Sequence, residues 1–270
     1  MNINEIFRGL RVYGISSFLY NALSILISRY VVVSFQKCGK TWLRLMLAKV
    51  IMEQYGIKKI NLDLQFMLLF RIKAPRILIS HAGSTKEDTS INFQRTFRHK
   101  KIILLVRDPR DIVISLFHSA RTREKIYSGR DISAFIRDES YGFEKIILFM
   151  NKWITDMKSR PDDFLLVRYE DMKHNTASEL SRILNFVGIN SSNDVISRAV
   201  AYGSFENMRK LEMSGAIDDY RMKPGDVKDP MSYRTRKGKV GSHREELSAE
   251  DIAYVNSLVK AKLDPLLGYN

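Results

Sequence analysis

The chain has 270 residues, enough for one well-buried domain with appended helices but hardly for two domains. Its formal net charge of +14 favours anionic partners such as nucleotides, sulfated or phosphorylated substrates, nucleic acid or an anionic membrane, although a generally basic protein would show it too. Cys38 is the single cysteine, which excludes an intramolecular disulfide framework and fits a cytoplasmic location.

Residues 15–28 form an apolar segment near the N-terminus, with hydrophobic residues at helical spacing. The segment is shorter than a membrane span and contains Ser and Asn, so we predict an amphipathic helix that covers the domain. Peripheral contact with a membrane through the same residues is the alternative. The first residues lack a basic region leading into an apolar core, so we expect no signal peptide. We therefore assign residues 1–29 to a helical segment packed on a domain of residues 30–270.

Four short aliphatic runs predict strands that are covered on both faces, as in a parallel sheet. They are Val31–Phe35, Arg76–Ser80, Lys101–Val106 and Phe164–Arg168. Helical patterns lie between and after them, at residues 41–54, 109–121, 143–158, 177–187 and 249–262. This order predicts a single α/β domain with a parallel sheet flanked by helices. Residues 212–246 lack a clear period, and we expect a mobile loop over a site there.

The junction after the first predicted strand carries the clearest functional signal. A buried strand runs into a tight turn, and a helix begins near Thr41. Free backbone N–H groups and the positive end of the helix dipole then face one point, which suits a phosphate. Gly39 allows close backbone approach, while Lys37 and Lys40 add positive charge. The junction therefore predicts a P-loop-like sheet that binds a phosphorylated ligand.

Two classes of enzyme use such a loop. The Walker A pattern, Gly-x-x-x-x-Gly-Lys-Ser/Thr, matches at its end, but Ser34 occupies its first Gly position. Residues 35–42 resemble the 5′-phosphosulfate loop of sulfotransferases that use 3′-phosphoadenosine-5′-phosphosulfate (PAPS), typically Tyr-Pro-Lys-Ser-Gly-Thr-Thr-Trp, with departures at Gln36, Cys38 and Lys40. The resemblance implies that the donor contacts Lys37, Cys38, Gly39, Lys40, Thr41 and Trp42.

Two further segments match the same family around the predicted sheet. Arg107 and Ser115 have the spacing of the family's Arg and Ser that hold the 3′-phosphate of the donor. An Arg fork suits a phosphate, and two turns of helix can return Ser115 to the same cleft. Tyr169 stands in a Tyr-Glu-Asp-Met segment that resembles the family's segment whose Tyr contacts adenine. It follows a predicted strand, at the sheet edge where open α/β sheets bind ligands.

The last two matches lie in the C-terminal third of the chain. Ser204, Phe205 and Met208 resemble a Ser-Phe-x-x-Met element whose Phe stacks on adenine, although Gly203 replaces the Thr of many members. Residues 236–241 resemble the Arg-Lys-Gly-x-x-Gly signature that closes over the 3′-phosphate, and they supply Arg236, Lys237 and Gly238. Ser242-His243 replaces the usual Asp-Trp after this signature.

His81 is the predicted catalytic base, because it ends the second predicted strand and resembles the His of the family's Lys-Thr-His segment. Ile79 replaces the Lys of that segment. Lys37 is expected to stabilise charge at the bridging oxygen, and the resemblance implies that Ser115 holds Lys37 until the acceptor binds. Cys38, at a helix N-terminus beside two lysines, is expected to have a lowered pKa, and its alkylation to block donor binding.

The sequence thus predicts direct in-line transfer of a sulfonate group from PAPS to a hydroxyl or amine, with 3′-phosphoadenosine-5′-phosphate (PAP) as product and no metal required. An ATP-dependent kinase, with Asp108 or another strand-end carboxylate on magnesium, is the alternative. A nucleic-acid-binding protein is a second one, but no zinc-knuckle or RNP-type motif supports it, and no nucleic-acid partner is expected. The acceptor, a small molecule or glycan, has no diagnostic motif. Basic residues at 121–130 favour an anionic or glycan acceptor or form a solvated face.

Overall fold

A computed structural model of the chain describes residues 22–64, 73–82, 93–123 and 131–269. The described residues contain one parallel sheet of four strands, β1 (Tyr30–Val33), β2 (Ile77–Ser80), β3 (Lys101–Val106) and β4 (Phe164–Arg168). Each strand agrees with its predicted run to within two residues at either end. Strands β1 and β3 are almost wholly buried, because helices cover both faces of the sheet.

The strand order, β2-β1-β3-β4, determines where a ligand can bind. The chain leaves β1 for β2 on one side of it and then crosses to β3 on the other side. In the register, Val33 of β1 pairs with Ser80 of β2 and Leu104 of β3, while Val106 pairs with Arg168 of β4. All four strands therefore end at the same edge of the sheet, with a crevice where the order reverses.

The predicted helices are present with ends within one residue of expectation: α1 (Lys40–Gln54), α3 (Pro109–Thr122), α5 (Phe143–Ser159), α7 (Thr176–Phe186) and α11 (Ala249–Lys262). Local chemistry explains their starts. Asp108 accepts a hydrogen bond from Arg110 N at the start of α3, and Ser248 accepts one from Asp251 N at the start of α11.

The described residues also contain six helices that were not among the predicted ones: α2 (Phe93–Thr96), α4 (Ile132–Ile136), α6 (Tyr169–His174), α8 (Asn193–Tyr202), α9 (Phe205–Ser214) and α10 (His243–Glu246). The longest two, α8 and α9, each begin after a serine whose hydroxyl caps the first turn, Ser192 and Ser204. Helix α8 packs on α1. Residues 215–242 are irregular apart from two 3₁₀ turns, Tyr220–Met222 and Pro230–Ser232.

Most of the predicted N-terminal helix lies outside the described residues. Residues 22–27 are helical; Ser24 is buried there and Ile25 packs against the hydrophobic core, whereas Leu26 is 76% exposed. Packing of this segment on the domain and membrane contact through residues 15–28 both stay predictions. In the described part of the chain, no helix has the length and apolar character needed to cross a membrane.

Candidate active site

A cavity of about 850 Å³ opens at the carboxyl edge of the sheet. Residues after the ends of all four strands line it, together with side chains from α3, α9 and the segment 231–242. Of the residues predicted from the sequence, only Cys38 is missing from its wall. The others are Lys37, Gly39, Lys40, Thr41, Trp42, His81, Arg107, Ser115, Tyr169, Ser204, Phe205, Met208, Arg236, Lys237 and Gly238.

The loop between β1 and α1 has the backbone that the phosphate-loop prediction requires. Lys37 and Gly39 both adopt positive φ, 64° and 93°, which turns the chain sharply into α1. A Cβ on Gly39 would lie 2.8 Å from the Tyr169 ring, so glycine is needed for space as well as for conformation. No side chain caps the first turn of α1, whose N-terminal N–H groups point toward the loop.

The structure corrects the predicted partner of Lys37. Its Nζ donates a hydrogen bond to Oγ of Ser119, one helical turn beyond Ser115 on α3. Oγ of Ser115 instead accepts from Nη1 of Arg107, at 3.4 Å. Both serines line the cavity because residues four apart lie on the same helix face. The sequence indicated the correct face of α3 but the wrong serine.

Arg107 contacts three separate parts of the cavity wall. Its Nη1 donates to the carbonyl of Lys37 at 3.2 Å, and its Nη2 donates to the carbonyl of Lys239 at 2.9 Å. The guanidinium also lies over the Tyr169 ring, 4.4 Å from its centroid. Its Nε is buried and has no hydrogen-bond partner among the described residues. Arg107 thus joins the loop after β1, the loop of residues 236–241 (the signature loop) and the ring of Tyr169.

Asp111, which sequence reasoning missed as a functional residue, holds the end of the signature loop. This fully buried carboxylate accepts from the backbone N–H groups of Gly241 and His243, at 2.7 and 3.1 Å, and contacts Nδ1 of His243 at 2.9 Å. Burial alone would raise its pKa, but the contacts with His243, Arg107 and the Gly241 amide lower it to about 2. Its position in the first turn of α3, four residues after Arg107, was the available sequence signal.

The signature loop packs so closely against Phe205 of α9 that glycine is required at position 238. Gly238 has φ of 61°, and a Cβ there would lie 2.8 Å from the Phe205 ring. The two signature cations, Arg236 and Lys237, share Oε1 of Glu246 at 3.1 and 2.7 Å. Burial would raise the pKa of Glu246, but hydrogen bonds from Lys237, His118 and Arg236 lower it to about 2.

Two aromatic rings of the cavity wall, one at the start of α1 and one at the start of α6, contact each other. Trp42 and Tyr169 meet edge to face with ring centroids 5.7 Å apart. Gly203 lies behind them, where a Cβ would be 2.6 Å from Cγ of Met46 and 3.2 Å from the Trp42 indole nitrogen. The Thr found here in many members of the family would therefore displace Met46. Glycine at position 203 leaves the space that the Met46 side chain fills.

His81 follows β2 directly and faces the cavity, as predicted. Lys40, however, contacts Nδ1 of His81 and also donates to the carbonyls of Ser34 and Ser80, at 3.3 and 3.2 Å. The pKa of His81 is well below its ordinary value of 6.5 because the cavity partly desolvates its ring and because of the positive charges of Lys40, Arg44, Lys37 and Arg234. The imidazole is therefore neutral near neutral pH, as a proton acceptor must be.

The predicted reactivity of Cys38 is wrong. Its side chain is fully buried under the loop, and Sγ lies 3.8 Å from the carbonyl of Gln36. Burial raises the pKa of the thiol to about 12, which outweighs the opposite effect of Lys40 and Arg107. Alkylation of this thiol in the folded protein is accordingly not expected.

The strand-end carboxylate proposed for the kinase alternative has another role. Asp108 forms a two-pronged ion pair with Arg110, with Nε to Oδ1 at 2.9 Å and Nη2 to Oδ2 at 2.8 Å. The described residues contain no group of three His, Cys, Asp or Glu side chains arranged to hold a metal ion.

Fold and cavity together define an α/β protein in which a strand–loop–helix turn, a second group of cations and several aromatic side chains meet in one cavity at the sheet edge. A sequence model of the sulfotransferase domain matches residues 28–266, so the chain belongs to the sulfotransferase domain family. The predicted family and fold are confirmed.

Curated relatives and solved structures agree with this assignment. Sulfotransferase 2A1 of Rattus norvegicus is 30% identical over 164 residues, covering 57% of this chain and 54% of that protein, so the match spans about half of it. The amine sulfotransferase of Oryctolagus cuniculus is 22% identical over 81% of this chain and 75% of its own length. Mouse sulfotransferase SULT7A1 complexed with PAP superimposes with a TM-score of 0.60 at 23% identity, over 87% of this chain and 84% of that one. Retinol dehydratase, complexed with androsterone and inactive cofactor PAP, superimposes with a TM-score of 0.60 at 19% identity, over 86% of this chain and 80% of that one. The kinase alternative finds no support in these comparisons.

Proposed function

We propose that this protein transfers a sulfonate group from PAPS to a hydroxyl or amine of an acceptor, by direct in-line transfer, and releases PAP. The observation that carries the proposal is the pairing of two anion subsites in one cavity, the loop at Lys37–Thr41 and the region of Arg107, Ser115 and the 236–238 signature. A single phosphate loop would suit many nucleotides. The second region suits a nucleotide with a separate 3′-phosphate.

The glycines support the fit of such a nucleotide. Side chains at Gly39 or Gly238 would fill space against Tyr169 and Phe205, so both loops keep their backbone close to the slot. In this proposal Trp42, Tyr169, Ser204, Phe205 and Met208 hold the adenine. Cys38 contributes only backbone, since its side chain is buried away from the cavity.

When bound, the donor supplies the sulfonate group together with a phosphate as leaving group. Lys37 offers a positive charge where the bridging oxygen would be, and Ser119 holds its ammonium at the cavity wall until then. His81 takes the proton of the acceptor hydroxyl or amine. The carboxyl edge of the sheet places both side chains in the same cavity, so the reacting groups need not be brought together by a large movement.

Lys40 sets a condition on the role of His81. A neutral imidazole accepts a hydrogen bond at one ring nitrogen and donates from the other. If His81 accepts the proton at Nε2, its ring proton lies on Nδ1, and Lys40, whose ammonium can only donate, must then release Nδ1. Lys40 is therefore a positioning residue for His81 in this proposal, in addition to its predicted contribution to donor binding.

Thermal-shift titration with PAP, beside ATP with magnesium, tests the donor assignment. We expect PAP to stabilise the protein by about 2.7 kcal/mol at a concentration 100 times its Kd, since a ligand that binds only the folded state stabilises by mass action. Stabilisation by ATP with magnesium but not by PAP would contradict the proposal.

Two substitutions separate donor binding from chemistry. Lys37→Ala and His81→Ala should both lose transfer, by about 100-fold or more for the base. His81→Ala should still bind PAP, measured by the same thermal shift. Loss of PAP binding in His81→Ala would place this residue in the donor site instead.

The complexes of neighbouring structures with androsterone and retinol support a small-molecule acceptor. A glycan acceptor, a cytoplasmic location and the division at residue 29 are further parts of the proposal that rest on the sequence.

A further inference from the structure

The cavity wall carries more positive charge than the predicted donor-binding residues supply. Four further arginines line it: Arg44, Arg123, Arg221 and Arg234. They come from three separate elements, α1, the end of α3 and the irregular segment 215–242. None belongs to a motif by which the sequence resembles the family. A cation that loses part of its hydration in a pocket wall costs free energy unless it is paired.

The carboxylates close to these arginines pair with two of the four, Arg221 and Arg123, since Oε1 of Glu212 lies 3.9 Å from Nη1 of Arg123. Asp219 forms a two-pronged pair with Arg221, which also contacts Asp63 at 2.9 Å. Glu212 accepts from the backbone N–H groups of Arg234 and Thr235, at 2.7 and 3.2 Å, and from the Thr235 hydroxyl. Arg123 donates to the carbonyls of Lys223 and Ser232 and thereby holds the irregular segment.

Arg44 and Arg234 differ from the other two because their guanidinium groups form no ion pair among the described residues. Nη2 of Arg44 reaches the carbonyl of Ile79 at 3.4 Å, but its Nε is buried without a hydrogen-bond partner. The Arg234 side chain is exposed to the cavity and has no hydrogen-bond partner in the described part of the chain. Desolvation by the surrounding cavity wall lowers the pKa of both to about 10, and the neighbouring charge of Arg221 (for Arg44) or of Arg123 (for Arg234) acts in the same direction. Both remain charged at neutral pH.

Both guanidinium groups also act on the proposed base. Arg44 and Arg234 are among the cations whose charge lowers the pKa of His81. An acceptor group within reach of His81 is therefore within the field of both arginines. A neutral apolar acceptor would fill the space around them without replacing their lost hydration, which is unfavourable. An anion would satisfy both.

We propose that the acceptor carries an anionic group, a carboxylate, phosphate or sulfate, which Arg44 and Arg234 bind while its hydroxyl or amine faces His81. This inference rests on the proposed function and specifies its substrate class. It differs from the expectation based on residues 121–130, because the cations that carry it lie elsewhere in the chain. Charge-assisted hydrogen bonds from Arg to such a group would provide selectivity against neutral analogues.

Matched pairs of acceptors test the inference. The probes are 4-hydroxybenzoate against its methyl ester and 4-(hydroxymethyl)benzoate against its methyl ester, so that each pair differs mainly by one negative charge. Two quantities are measured: kcat/KM for transfer from PAPS, and Kd for binding to the protein saturated with PAP. We expect the anionic member to be preferred by about 10- to 100-fold in both.

The variants Arg234→Gln and Arg44→Gln should each remove most of this preference by weakening the anionic member, while the ester changes little. Arg198→Gln is the matched control: it removes one positive charge from an exposed side chain on α8, outside the cavity, and should keep the full preference. If Arg44→Gln does not fold, Arg234→Gln carries the test, because its side chain makes no hydrogen bond in the described structure.

The outcomes separate the inference from the function on which it rests. PAP stabilisation with no preference for the anionic members, or with a preference that Arg234→Gln leaves intact, overturns the inference and leaves the proposed function standing. Absence of any effect of the anionic probes on the PAP-saturated protein overturns it as well. Absence of stabilisation by PAP overturns the proposed function itself, and the inference with it.

Discussion

Lys40 is the residue at which this chain departs most consequentially from the loop it resembles. The family pattern has a Thr there, whereas the Lys40 ammonium is buried and contacts Nδ1 of His81. The chain lacks the Lys of the family's Lys-Thr-His segment, because Ile79 occupies that position. A positive charge therefore stands beside the histidine after all, but it comes from the loop after β1 rather than from β2.

Exchanging Lys40 for Thr should move the acid limb of the pH profile. After burial, Lys40 is the largest cause of the lowered pKa of His81, followed by Arg44, Lys37 and Arg234. Removing that charge raises the pKa of His81, so the base becomes protonated at a higher pH and activity falls there. We expect the low-pH limb of kcat/KM in Lys40→Thr to shift upward. Lys40→Arg, which keeps the charge, should retain the wild-type limb; coincident limbs in all three proteins would contradict this account.

The sequence predicted residue positions correctly where a motif determines the backbone conformation. It did not predict contacts that depend on the direction in which a long side chain extends. The loop at residues 36–42 lies where the motif requires it because its glycine and its apolar strand determine the local conformation. The choice of Ser119 over Ser115 depends on how far Lys37 reaches along α3. The contact between Lys40 and His81 joins residues 41 positions apart, and no local pattern signals it.

At the scale of elements, the signature loop is held by α3 and fitted against α9. Asp111 of α3 binds its end through Gly241 and His243, and the ring of Phe205 on α9 touches Gly238. Ser242 and His243, which replace the usual Asp-Trp, are both buried against this carboxylate. The exchange therefore preserves the attachment of the loop by different chemistry.

Gly238→Ala should weaken PAP binding more than it weakens the fold. The new Cβ would lie 2.8 Å from the Phe205 ring and would displace it from the adenine slot. We expect a loss of roughly 1 kcal/mol in binding, about fivefold in Kd, from the displaced ring. Gly215→Ala is the control, since its φ of 62° is almost the same as the 61° of Gly238 but nothing lies within 4 Å. Titration with PAP should separate the two; equal affinities would show that the ring contact is unimportant.

Element-scale prediction was accurate for the sheet and for the helices with strong apolar periodicity. Strands such as β3 are recognisable because burial on both faces gives an unbroken aliphatic run. Helices α8 and α9 were missed: α9 has several charged residues and buries little beyond Met208 and Glu212. The sequence nevertheless indicates where α9 starts, because Ser204 caps the helix by accepting a hydrogen bond from Asn207 N.

At the scale of the whole molecule, the chain has a net charge of +14, and a few buried or half-buried carboxylates hold the elements that carry its cations. Asp111 holds the signature loop, Glu246 joins Arg236, Lys237 and His118, and Glu212 supports the segment that carries Arg234. The cations of the cavity thus face inward from elements that these carboxylates hold in position. Sequence composition predicted the anionic partner but could not reveal this arrangement, because charge counts carry no positions.

This arrangement predicts a protein that loses stability in two stages as the pH falls. His81 has a lowered pKa in the fold, so below its ordinary value of 6.5 the unfolded chain binds more protons and the free energy of unfolding decreases. Asp111 and Glu246, whose pKa values fall from 3.8 and 4.5 to about 2, contribute stability that is complete above these ordinary values and is lost between them and about pH 2. Urea unfolding from pH 7.5 to 3 measures both stages. His81→Ala should reduce the first stage without removing it, because the pKa of His118 is also lowered in the fold and contributes there. Asp111→Asn should weaken the second stage and cost about 3–5 kcal/mol at pH 7, because it removes a buried charge from its partners. A first stage that persists unchanged in His81→Ala would show that this histidine is not held neutral by the cations around it.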